Sequence, residues 1–130
     1  MKTLIVNGGR HHDYQRNTEE VVNIMTKWRS IDPRVVEGPE GLTDDNLSWA
    51  EVILINYTGG ELSEERSKAL ENFVYKGGGF VGIHSAGDSF RNSDRYFNLI
   101  GCKFITHGPP CPIRVHVRDT DHQITSMIDE

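Results

Sequence analysis

GGGFVGIHSAG, Gly77 to Gly87, combines a glycine turn, the apolar run Phe80 to Ile83, and a second tight turn with His84 at its apex. An apolar strand that breaks at once into a sharp turn is how a parallel sheet delivers a side chain to its carboxyl edge. In a strand-to-helix elbow of this kind, the residues two before and two after the apex must be small, because the turn crowds them together. Gly82 and Ala86 meet that demand. The apex does not suit acyl transfer, since an imidazole stands where a serine or cysteine would attack, and Ser85 is the only adjacent hydroxyl.

Outward from the elbow, apolar strands and amphipathic helices alternate. Upstream, LSEERSKALENFVYKGGG predicts a helix capped by Ser63, with Leu70, Phe73 and Val74 on its apolar face and Gly77 as its stop. Before it, Glu51 to Tyr57 reads as a buried strand ending at Gly59-Gly60, and Lys2 to Asn7 as another ending at Gly8-Gly9. Between these two lie a helix started by Thr18, with Val21, Ile24, Met25 and Trp28 at helical spacing, and a strand over Arg34 to Glu37. The polar stretch GPEGLTDDNLSWA is a connector with room for a short helical turn, and Trp49 lies on the approach to the next strand. Downstream, Ser93 to Ile100 predicts a helix, and the alternation Ile-Arg-Val-His-Val over 113–117 predicts a strand with one solvated face. Connectors too long for hairpins favour a mostly parallel sheet covered on both sides: a three-layer α/β/α sandwich of flavodoxin-like type, as one domain over residues 1–130.

Composition narrows the class. The 130 residues carry a formal net charge of −5 with acidic and basic residues interspersed, so no basic stripe is available for nucleic acid. Apolar runs of four or five residues are far too short for a membrane span, and the N-terminus lacks a leader-like apolar region. A cytoplasmic location is expected, which the two cysteines, Cys102 and Cys111, suit as free thiols.

Ligands of such sheets bind beyond the carboxyl ends of the strands. His11, His12 and Asp13 follow the first strand, Asn56, Tyr57 and Thr58 end the third, and His84, Ser85 and Asp88 follow the fourth. His107 joins them if its stretch folds back. His12, His84 and His107 together would suit zinc or a similar divalent metal, although each can equally cap a backbone group or sit in solvent. The Cys102, His107, Cys111 spacing matches no zinc ribbon or finger. Gly8-Gly9 lacks the GxGxxG pattern, and the histidines beyond it leave no close approach for a pyrophosphate. Asp88 and Asp121 are candidate general bases, with a capping role favoured for Asp88.

The run from Gly77 to Thr125 resembles the core of the trehalose-utilisation (ThuA-like) family, whose fold is similar to that of class I glutamine amidotransferases. The resemblance rests on Gly77 to Gly79, His84-Ser85-Ala86, Tyr96, Leu99, Gly101, Phe104, His107, Asp119, His122, Ile124 and Thr125, and on NGGRHHDY after the first strand. This sequence departs from the family pattern at Gln123, where a proline is usual, and at Cys102, where a small residue is usual. It also stops short of the family's usual C-terminus, so completion by homo-oligomerisation is expected, or else an inactive truncated form.

The resemblance implies handling of trehalose or a related disaccharide derivative, by hydrolysis or isomerisation with or without a metal. It does not imply amidotransferase activity, since the elbow cysteine is missing. The expected site comprises His84, Ser85 and Asp88 as catalytic groups, with His12, Tyr57, His107 and His122 as ligand-binding groups. The competing expectation is a non-catalytic ligand-binding or assembly module on the same scaffold.

Overall fold

The computed structural model describes residues 1–128. Its elements are β1 (Lys2–Gly9), α1 (Tyr14–Thr26), β2 (Asp32–Glu37), α2 (Asp44–Trp49), β3 (Val52–Thr58), α3 (Glu64–Tyr75), β4 (Gly79–Gly82) and α4 (Asp94–Ile100). Two 3₁₀ turns, Pro39–Gly41 and His84–Asp88, complete the set. All strand pairs are parallel, in the order β2-β1-β3-β4. The order reverses direction at β1, which leaves a crevice between the carboxyl ends of β1 and β3.

Alternation along the strands separates two faces. Leu4 and Val6 of β1 register with Ile53 and Ile55 of β3, and all four are fully buried. They form one core with Leu42, Leu62, Leu70, Phe90 and Tyr96, beneath α3 and α4. The opposite face carries Ile5, Asn7, Leu54 and Asn56 and is covered by α1. Helices on both sides of a parallel sheet make the three-layer sandwich of flavodoxin-like type expected from the sequence.

Capping follows the expected chemistry at three helices. The Ser63 and Ser93 hydroxyls accept the Arg66 and Tyr96 backbone N–H groups at 3.2 Å, and Thr43 accepts that of Asn46 at 3.3 Å. At α1 the expectation fails by one turn. Asp13, not Thr18, is the cap, accepting the Arg16 N–H at 3.1 Å. Thr18 is unavailable because it is buried inside the helix interface, where its hydroxyl donates to Asn7 Oδ1 at 2.7 Å and accepts from Asn56 Nδ2 at 2.9 Å.

Starting the helix earlier rotates its register. Tyr14, Thr18, Val21, Val22 and Met25 face the sheet, while Trp28 lies past the helix end and is 66% exposed rather than buried. Trp49 instead packs against the core and carries the Arg34 guanidinium over its ring at 3.9 Å. The second correction concerns residues 113–117, which form no strand; from Gly101 to Ile128 the chain has no helix or strand. An alternating pattern suits a strand but does not supply the partner whose hydrogen bonds make one.

Candidate functional site

At the end of β4 the chain turns sharply, and His84 takes a left-handed backbone conformation with φ +47°. A non-glycine residue there is strained by about 1–2 kcal/mol, and such strain concentrates where side chains are presented for function. The elbow's steric demand is met as expected: a Cβ added at Gly82 would lie 3.0 Å from the Ala86 Cβ. Tyr96 holds the turn from below, its hydroxyl donating to the Ala86 carbonyl at 2.8 Å. Burial, with the Cys102 thiol as a lesser contributor, pushes the Tyr96 phenol above its ordinary range, so it remains a donor.

The imidazole so presented meets a second one. The His84 and His12 rings stand edge-on, with centroids 4.7 Å apart, and His12 is edge-on to Tyr14 at 5.7 Å. His12 arrives on the loop after β1, where His11 also has a positive φ of +72°. A cavity of about 610 Å³ opens above them. Four imidazoles line it, those of His11, His12, His84 and His107, together with Thr58 and Ser85 on its floor and Asp88 and Phe104 on its wall. The cavity therefore collects residues from the carboxyl ends of β1, β3 and β4, at the point where the strand order reverses.

His107 reaches this cavity because its segment is strapped to the elbow. The Phe104 N–H donates to the Gly87 carbonyl at 2.8 Å, and Arg91 donates to the Phe104 carbonyl at 3.2 Å while ion-pairing with Asp88 at 2.5 Å. Asp88 thus binds the strap's anchor. Its capping role as read from the sequence becomes an ion-pairing one.

Ser85 is held by a chain of hydroxyls. Tyr14 donates to Thr58, Thr58 donates to Ser85, and Ser85 donates to the Tyr57 carbonyl at 3.3 Å. In this arrangement the Ser85 proton is engaged by a carbonyl, and no imidazole accepts it.

Two expected ligand-binding residues do not reach the cavity. Strand alternation puts the Tyr57 ring on the core side, stacked on Phe90 with centroids 5.1 Å apart. His122 sits in the turn over 119–128, its Nδ1 accepting the Ile124 N–H at 3.2 Å. The donor set of His12, His84 and His107 suits a divalent metal in kind. Among the described residues, however, no three His, Cys, Asp or Glu side chains converge as a metal site requires, and this holds equally for Cys102, His107 and Cys111. The two cysteines are free and exposed.

The chain matches the model of the ThuA family, described as trehalose utilisation, over residues 2–130. The chain belongs to the ThuA family. A crystal structure described as a ThuA-like protein from Bacteroides uniformis superposes with a TM-score of 0.75 at 20% sequence identity. The similarity covers 98% of this chain and 55% of that one, so this ThuA chain spans about half the length of that relative. No curated protein matches it. Trehalose utilisation is the description of the family, and the shared architecture shows the fold.

Three participants in this ThuA chain are not singled out by its sequence pattern. Tyr14 falls within NGGRHHDY after the first strand, Arg91 lies between two predicted elements, and Phe104 contributes only to the family resemblance. The available signal was positional: each lies within a few residues of a group already placed at the strand ends.

Proposed function

We propose that the histidine-lined cavity binds a small carbohydrate derivative, trehalose or a related disaccharide among the candidates, and that His84 and His12 move protons on it. What carries this reading is the edge-on pair of imidazoles at the strand ends, presented by a strained elbow beneath a cavity large enough for a sugar ring. A neutral imidazole offers one N–H donor and one nitrogen acceptor, so adjacent rings can give a proton to one oxygen and take it from another. That chemistry serves hydrolysis or isomerisation, and Phe104 supplies an apolar wall for the sugar's C–H face. No metal step is included, because the geometry does not gather the ligands for one.

One observation favours the second reading, a binding module without turnover. Among the described residues Asp88 is the one carboxylate on the cavity wall, and it is spent on Arg91 instead of orienting an imidazole. Calorimetry with a panel of neutral and acidic sugars, trehalose included, tests the proposal when paired with NMR time courses on wild type, His84→Ala and His12→Ala. Binding lost about tenfold in either variant, with product formed only by wild type, is the expected outcome. Binding that depends on the histidines without any product would place the second reading first, and a panel with no ligand at all would end both. Self-association and a cytoplasmic setting belong to the same proposal, the latter supported by the two free thiols.

A further inference from the structure

Next to the cavity-lining residues His11 and Thr58 stands a cation, Arg10, that has no ion-pair partner among the described residues. Arg10 follows the Gly8-Gly9 turn at the end of β1, and its guanidinium lies against Gly59, just past Thr58 on the cavity floor. The fit is close: a Cβ added at Gly59 would sit 2.9 Å from Arg10 Nε and 3.2 Å from an Nη. Gly59 also has a φ of +75°, so the guanidinium occupies space that only glycine leaves open. Yet among the described residues no carboxylate forms an ion pair with Arg10, and its guanidinium donors have no hydrogen-bond acceptor.

Two acids of the neighbouring loops are committed elsewhere. Asp88 pairs with Arg91, and Asp13 caps α1 through the Arg16 N–H. The guanidinium's planar fork matches an oxyanion, and a permanent charge beside a partly enclosed cavity favours a negative ligand. The nearby imidazoles add N–H donors of the kind an anion accepts from.

We propose that the cavity selects an anionic sugar derivative, one bearing a carboxylate or phosphate, and that Arg10 receives the anion while the imidazoles face the sugar's hydroxyls. This rests on the reading of the cavity as a carbohydrate site and specifies the substrate class for it. Carboxylate and phosphate share the chemistry that Arg10 recognises, and separate probes distinguish them.

The test is calorimetry of the full chain with glucose, glucuronate and glucose 6-phosphate, which share one ring and differ at one carbon. Acetate and inorganic phosphate serve as anions without the sugar. At least one of the two anionic sugars should bind about tenfold more tightly than glucose, in keeping with one charge-assisted contact, and rising salt should shrink the difference. Arg10→Gln should erase the preference while leaving any glucose affinity in place, and Arg10→Lys should keep part of it. Both variants should melt within a degree or two of wild type, because the side chain makes no internal pair. Equal affinity for glucose and both anionic sugars would overturn the inference yet leave the carbohydrate reading standing. Inorganic phosphate or acetate binding as tightly as its sugar counterpart would overturn it as well. Failure of every sugar, neutral or acidic, would remove the carbohydrate reading and the inference together.

Discussion

His84 joins two costs and one opportunity in a single residue. Its φ of +47° is unfavourable for any side chain with a Cβ, and its ring is exposed at the top of the sheet. Neither circumstance helps the fold, so the position is explained by what the imidazole can meet there, which is His12 and the cavity. The strain can be measured separately from the chemistry by comparing two variants that both lack the ring. His84→Gly should be more stable than His84→Ala by about 1 kcal/mol in urea unfolding, because glycine alone takes the left-handed conformation without penalty. Equal stabilities would mean that the elbow relaxes in solution and holds no strain at this residue.

At the scale of the element, α1 shows how a helix is anchored by polar groups in a largely apolar interface. Thr18 bridges Asn7 of β1 and Asn56 of β3, and Asn7 passes the chain on to Glu37 of β2 at 3.2 Å. One hydroxyl therefore satisfies amides from the two central strands, all three side chains being buried. Thr18→Val keeps the shape and deletes the hydroxyl, leaving an amide donor and an amide acceptor without partners. The expected loss is about 1–3 kcal/mol in denaturant unfolding, whereas Thr18→Ser should recover most of it. A valine variant as stable as wild type would show that water replaces the bridge.

The same residue marks the limit of what patterns reveal. Apolar runs and helical spacing located every strand of the sheet and the helices α3 and α4, because apolar spacing and serine caps are local signals, whereas α2 was legible only as room for a helical turn in a polar connector. Thr18 looked like a cap because caps favour its chemistry, and nothing local says that its hydroxyl is needed by two asparagines 11 and 38 residues away. Residues 113–117 failed for the converse reason: alternation is local, but a strand is a pairing. The site divides along the same line. Gly82 and Ala86 flanking His84, and histidines after strand ends, were legible. The Arg91 strap and the Tyr14–Thr58–Ser85 hydroxyl chain depend on contacts across the fold and were not.

The whole molecule is asymmetric in how well its sheet is covered. One face lies beneath α3 and α4, while the other carries α1 alone, which packs on β1, β2 and part of β3. β4 is the last strand, and among the described residues nothing pairs with its outer edge, Gly79 to Gly82. Val81 at that edge is 45% exposed. An open parallel edge with an exposed valine invites pairing with another chain, since its N–H and C=O groups face water in a row and the valine gains from being covered. We expect the protein to self-associate through this side, so that sedimentation velocity gives a mass above the monomer that rises with concentration. Val81→Lys should shift the distribution to monomer without lowering the unfolding midpoint, because a charge on an edge strand blocks pairing while remaining solvated. The histidine cavity lies at the carboxyl end of the same strands, so its ligand affinity should be unchanged by that substitution. A wild-type protein that sediments as a monomer at every concentration would show that this edge is left open in solution.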